Sequence, residues 1–271
     1  MKVIDRGSGT PIVVIPGIQG RWEWVKPAID TLAQQCRVIT FSLADEPTCG
    51  GPFGEQRGIE PYVEQVRMAL DTAGVQRAAI CGVSYGGLIA AAFAARFPDR
   101  VSALVLVSAI PPSWTPDRRV RFYLRAPRLL SPLFYIASLR LVREILAAHA
   151  GLAAGARAAA EHTWRVAMHP FSPGRMARRV QLTKGHDLQA QLSRVNVPTL
   201  LVTGDSALDR VVPTGLSHEY ARMWPHARLA TIANTGHLGL ITRPDEFARL
   251  VVPFAEEGAR QADEGARRHI G

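Results

Sequence analysis

Ser84 stands in Gly82-Val83-Ser84-Tyr85-Gly86, between an apolar run that reads as a strand (Ala78 to Val83) and an Ala-rich helical run (Leu88 to Ala95). A strand turning straight into a helix forces the residue between them into a strained backbone state, and glycines two before and two after remove side chains that would collide there. This context predicts a hydroxyl displayed at the carboxyl end of a sheet, where open α/β sheets bind ligands. The plainer alternative is a glycine-rich helix start with an incidental serine. A serine hydroxyl is a weak nucleophile until a base takes its proton, so a histidine must be found.

Of eight histidines, His237 is the candidate base. It lies in Asn234-Thr235-Gly236-His237-Leu238-Gly239, a loop after an expected strand at Leu229 to Ile232, from which a side chain reaches a neighbouring strand end. His149, His162, His169 and His186 fall in a region read below as an insertion, His218 and His226 on a helix and its exit, and His269 in the tail, so all seven read as surface or packing residues. An imidazole acting as a base needs a carboxylate to fix its tautomer. Asp205 and Asp209 compete in Thr203-Gly204-Asp205-Ser206-Ala207-Leu208-Asp209. Asp209, just before Arg210-Val211-Val212-Pro213, is the choice; Asp205, closer to the strand end, is the alternative, and the loser reads as a turn or capping residue.

These residues need a frame. Apolar runs at Ile12 to Ile15, Arg37 to Phe41, Ala78 to Val83, Ala103 to Val107, Thr199 to Thr203 and Leu229 to Ile232 read as strands covered on both faces, because their apolarity is continuous rather than alternating. Helical patterns separate them, the clearest from Pro61 to Ala73 with Gly74 as a C-terminal stop. The βαβα order predicts an α/β protein with a mostly parallel sheet wrapped by helices. After Ala109 the order breaks. No strand pattern appears until Val197-Pro198, and Arg118, Arg121, Arg125 and Arg128 fall on one helical face, so this stretch reads as a helical insertion. The last residues, from Glu256 to Gly271, read as a polar, frayed tail.

With 271 residues, 47% hydrophobic and 20% charged, the chain is a globular protein of one large domain plus an insertion, and disorder throughout is excluded. Cys36, Cys49 and Cys81 form an odd, scattered set without CxxC, which excludes a disulfide scaffold and a zinc ribbon and fits a reducing compartment. No signal peptide is read in the first residues, and the uncharged run from Ala78 to Ala95 is divided by glycines rather than spanning a membrane, so a cytoplasmic location is expected. The net charge of +9 resides in residues 115–190, where 13 basic side chains face four acids; the remainder has 19 of each.

The chain resembles the α/β-hydrolase superfamily. The resemblance rests on the turn at Ser84, the chain order Ser84, Asp209, His237, the Arg96-Phe97-Pro98-Asp99-Arg100-Val101 helix exit into a strand, and the inserted helices. It implies an eight-stranded core from residues 1–114 and 191–271 and an Arg-rich helical cap over 115–190. It also implies that Pro16-Gly17-Ile18-Gln19-Gly20 is an oxyanion loop, with Pro16 where the superfamily commonly has histidine, so that the main-chain N–H groups of Ile18 and Tyr85 hold the developing charge. An ordinary glycine turn is the alternative there. Members often carry an Asp and a Gly-His-Gly stretch where this chain reads Ser42-Leu43-Ala44-Asp45-Glu46, which weakens any transfer of substrate class.

The expected activity is that of a serine hydrolase, without metal or cofactor, that cleaves an ester, thioester or lactone bond in a small, largely apolar acyl substrate. The same three residues support an acyltransferase, a carbon-carbon bond hydrolase or a perhydrolase, and a non-catalytic binding member is the rival from another class. Trp22 and Trp114 are candidates for the substrate pocket or for packing, and Trp24 reads as core. The basic stretch reads as a solvated helix face or as an attraction for an anionic substrate, an acidic carrier protein or a membrane surface, the last because Leu129, Leu130, Leu133 and Phe134 lie beside it. Arginine outnumbers lysine by 29 to three, which a coding bias would also produce, and nucleic acid is not an expected partner.

Overall fold

The apolar runs pair into one sheet in the computed structural model, which describes residues 1–50, 58–183, 188–209 and 211–268, with the backbone alone for 133–140 and 268. His186, Lys184, Asp187, Arg210 and His269, and the side chains of Leu133 and Phe134, lie outside the described residues. The strands are β1 (Ile4–Arg6), β2 (Pro11–Ile15), β3 (Arg37–Thr40), β4 (Ala78–Val83), β5 (Val101–Val107), β6 (Thr199–Thr203) and β7 (Arg228–Thr231). Their order in the sheet is β1-β3-β2-β4-β5-β6-β7. β1 runs antiparallel to β3, and every other pairing is parallel. The α/β class is therefore as expected, with seven strands among the described residues against the eight the resemblance implies.

Helices α1 (Lys26–Leu32), α2 (Glu60–Thr72) and α3 (Tyr85–Arg96) follow β2, β3 and β4; α4 (Arg118–Arg125), α5 (Ser131–Ala147), α6 (Leu152–Met168), α7 (Pro173–Leu182) and α8 (Leu188–Leu192) lie between β5 and β6. The chain closes with α9 (Thr214–Ser217), α10 (Glu219–Met223), α11 (Gly239–Thr242) and α12 (Pro244–Arg268). Alternate residues of each central strand go to opposite faces. Val13, Ile80, Leu104 and Leu201 pack with α2, α3 and α8, whereas Ile12, Val14, Ala79, Cys81, Val105 and Val202 pack with α1 and α12. Each fully buried Val, Leu or Ile among them contributes about 1.5–3 kcal/mol, so the centre of the sheet is the rigid part of the molecule. That rigidity matters because β4 ends at Ser84.

The structure corrects the reading of several elements. β1 was not expected, since Ile-Asp-Arg at an edge is short, polar and half-exposed. β7 begins and ends one residue before the expected Leu229 to Ile232. The arginine helix α4 stops at Arg125, short of Arg128, because Pro127 disfavours helical backbone at Ala126, which lies at φ −147°. The tail is helical through Arg268. Gly258 lets α12 lie flat on β5, for a Cβ there would come 2.6 Å from the Ser102 carbonyl oxygen, and Arg77 bonds the Ala262 carbonyl at 3.2 Å.

Candidate active site

Ser84 occupies the turn between β4 and α3 at φ 54°, ψ −114°, a conformation that side chains other than glycine rarely adopt. Such strain costs on the order of 1–3 kcal/mol and persists only where surrounding structure enforces it. The enforcement is visible. The Ser84 N–H donates to the Val107 carbonyl at 2.8 Å, and the Ser84 carbonyl accepts from Gly87 at 3.0 Å. Gly82 and Gly86 make the turn sterically feasible: a Cβ on Gly82 would lie 2.3 Å from the Gly86 oxygen, and one on Gly86 would lie 2.5 Å from the oxygens of Ile15 and Pro16. The expected strand-turn-helix at Ser84 is present.

The loop after β2 lies beside this turn. A Cβ on Gly17 would be 3.6 Å from the Cβ of Ser84, and the loop is closed by a 2.9 Å bond from Gly20 N–H to the Gly17 carbonyl. Ile18 is held from behind by its carbonyl, which accepts from Arg179 at 2.6 Å. Tyr85 opens α3, so its N–H belongs to the unpaired first turn of that helix. Its ring turns away to pack edge-on against Tyr62.

His237 follows β7 on a loop laced to the loop after β6. Its Nδ1 lies 3.3 Å from Oδ2 of Asp209, and both side chains are buried. The other oxygen of Asp209 accepts from the N–H groups of Val211 (3.0 Å) and Val212 (2.9 Å). Burial alone would raise the Asp209 carboxyl; the hydrogen bond and charge of His237, with the Val212 and Val211 amides, outweigh it and hold the group below the usual carboxylate range. An ionised carboxylate only accepts, so Nδ1 carries the proton and Nε2 is left as the basic nitrogen. Asp205, the competing carboxylate, turns the other way: its Oδ2 accepts from Asn234 N–H at 2.7 Å, and its carbonyl closes the turn to Leu208 and Asp209. It ties the two loops together and leaves His237 to Asp209. No hydrogen bond joins Ser84 to His237 among the described residues, and the two are only 8% and 9% exposed. Chemically these residues offer a strained hydroxyl, a tautomer-locked imidazole on a carboxylate and main-chain N–H groups at a helix start.

A family comparison identifies the fold. Residues 10–244 match the model of the alpha/beta hydrolase fold family. The chain belongs to the alpha/beta hydrolase fold family. RutD of Azorhizobium caulinodans, which carries the name of a carbamate hydrolase, is 28% identical over 253 residues, 93% of each chain. The poly(3-hydroxyalkanoate) depolymerase of Ectopseudomonas oleovorans is 28% identical over 261 residues, 93% of this chain and 87% of that one. Among solved structures, the esterase EaEST of Exiguobacterium antarcticum superposes with a TM-score of 0.76 at 19% identity, over 94% of each chain. The two sequence relatives carry the names of a hydrolase and a depolymerase, and the solved structure shares the fold of this chain.

Two side chains that the sequence reading passed over bear on the site. Glu144, on α5, sends one carboxylate oxygen to the N–H groups of Gly236 (3.0 Å) and Leu238 (2.5 Å), the residues on either side of His237. Its signal was an acid on the apolar helical face of Leu141, Ile145 and Ala148. Arg179, on α7, is completely buried and binds Asp45 (2.6 Å) and Glu46 (2.6 Å) besides the Ile18 carbonyl. The Asp45-Glu46 pair in the atypical turn after Phe41 was its signal.

The tryptophans divide. Trp22 packs on the α1/α12 side with the Arg6 guanidinium 5.4 Å over its ring, and Trp114 packs at the edge of the α2/α3 side. Trp24 is buried as expected, edge-on to Phe171 and His162, and its indole N–H donates to the His169 carbonyl at 2.9 Å. Arg118, Arg119, Arg121, Arg125 and Arg128 are exposed beside Leu129, which is 79% exposed. Two surface hollows, one lined by Pro112, Gln189 and Glu219 and the other by Glu60, Arg96 and Arg194, include neither Ser84 nor His237 in their walls. Among the described residues, no three His, Cys, Asp or Glu side chains form a group able to hold a metal ion, and no helix is long and apolar enough to cross a membrane.

Proposed function

We propose that the chain is a serine hydrolase that cleaves an ester, thioester or lactone bond in a small, largely apolar substrate. The observation that supports the reading is the buried 3.3 Å contact between His237 Nδ1 and Asp209, on loops that follow strands of the same parallel sheet in which β4 ends at the strained Ser84. Ser84 Oγ attacks the substrate carbonyl carbon while Nε2 of His237 takes its proton. The N–H groups of Ile18 and Tyr85 receive the negative charge on the carbonyl oxygen. Collapse expels the alcohol, thiol or ring oxygen, which takes the proton from His237 and leaves an acyl group on Ser84. Water, deprotonated by the same nitrogen, then attacks the acyl carbon and restores the serine. Loss of a single oxyanion donor costs roughly 100- to 1000-fold in rate, which makes the seating of Ile18 by Arg179 significant.

The names of two relatives support an acyl substrate, since a carbamate and a polyhydroxyalkanoate both present a carbonyl carbon with a leaving group. A third, the 2-hydroxy-6-oxo-2,4-heptadienoate hydrolase of Pseudomonas putida at 27% identity, favours carbon-carbon cleavage as the second reading. Turnover of p-nitrophenyl esters, thioesters, lactones and a hydroxy-oxo-dienoate, measured side by side, separates the two. Ser84→Ala and His237→Ala should each abolish nearly all turnover, and the double variant should be little worse, because residues of such a unit act together. Full activity in folded Ser84→Ala would end the proposal.

A further inference from the structure

Glu144 is 8% exposed, and burying a carboxylate is costly unless its oxygens are used. One of them takes two bonds from one target. Oε1 accepts from Gly236 N–H and Leu238 N–H, so the main chain is gripped immediately before and immediately after His237. The approach is close: a Cβ on Gly236 would stand 2.9 Å from Glu144 Cδ and 2.7 Å from the Leu208 carbonyl, which leaves room there for glycine alone. Around this grip, Ile145 and Ala159 pack with Leu238, and Arg243 Nε donates to the Ala148 carbonyl at 3.0 Å. The C-terminal end of α5 is thereby fastened both to the histidine loop and to the chain just beyond it. Asp209 fixes the imidazole from one side, whereas Glu144 fixes the backbone from which the imidazole hangs.

We infer that Glu144 is a positioning residue for His237, through which helix α5, part of the segment between β5 and β6, sets where the imidazole stands relative to Ser84. The inference rests on the reading of Ser84, His237 and Asp209 as the reacting group. It makes the helical insertion a working part of the site rather than only a cover, because a shift of α5 is passed to the base through two hydrogen bonds.

The test uses the full chain and two readouts, steady-state hydrolysis of a p-nitrophenyl ester and the rate of Ser84 labelling by a fluorophosphonate. Glu144→Ala should lower kcat and the labelling rate by about 10- to 100-fold, the range that a misplacement near 1 Å costs, with KM held within about twofold. Glu144→Gln keeps an oxygen at the same reach and should recover most of the loss. Glu144→Asp keeps the charge but is one methylene short, so it should resemble Glu144→Ala; it also serves if Glu144→Ala shows no folded melting transition. Equal rates in wild type, Glu144→Ala and Glu144→Asp would overturn the inference, as would Glu144→Gln as impaired as Glu144→Ala with Glu144→Asp intact, which would put the effect in the charge. Wild type that fails to label at Ser84 would instead sink the reading of the site itself.

Discussion

Asp205 and Asp209 are bonded within one turn yet serve different neighbours, and a matched pair of substitutions should separate them. Asp209→Asn leaves the volume intact but permits the wrong imidazole tautomer, so kcat should fall by several orders of magnitude, up to about 10⁴-fold as in the serine-protease template. Asp205→Asn should change kcat by less than about 10-fold and lower stability by at most about 1 kcal/mol through the weakened, exposed bond to the Asn234 amide. Ester turnover and urea unfolding of both variants check this. The contrast also shows what was readable one residue at a time. The turn at Ser84 and the loop at His237 were legible because both are written in adjacent residues, glycines around a strand-helix turn and a loop after a strand. Choosing Asp209 over Asp205 needed only the order along one turn. Glu144 and Arg179 were not legible as site residues, because their partners lie 92 and 161 positions away and no local pattern names them.

Between elements, the α6 contact with the core carries a pH signature. His162 on α6 sits edge-on to Trp24, and burial, aided by the charge of Arg165, pushes its pKa down from 6.5 to about 4. A depressed folded-state pKa means that the unfolded chain takes up the proton first. The stability His162 contributes is thus complete above about pH 6.5 and is lost as the pH falls toward about 4, on the order of 3 kcal/mol in all. His162→Phe should flatten this part of the pH dependence, measured as the urea midpoint at pH 7 and pH 4.5; an unchanged slope would refute the assignment. Elements fully covered on both faces, such as β4 and β6, were legible to the residue because continuous apolar runs have one reading. β1 and the end of α12 were not, since a three-residue edge strand and a polar helix owe their form to what they dock against.

Across the whole molecule, one guanidinium joins the inserted helices to the loops after β2 and β3. Arg179 compensates two buried carboxylates and fixes Ile18, so Arg179→Ala leaves Asp45 without its counter-charge and Glu46 with Arg175 alone, and should cost about 3–5 kcal/mol in urea unfolding. Arg179→Lys should recover little, because an ammonium cannot reproduce the fork that reaches both acids and the Ile18 carbonyl. A midpoint within error of wild type for Arg179→Ala would contradict this. The strained turn at residue 84 has a converse consequence for the chain as a population of variants. Since the backbone at φ 54° suits glycine and penalises serine, selection for heat resistance alone would favour discarding the hydroxyl, and only simultaneous demand for turnover would retain it.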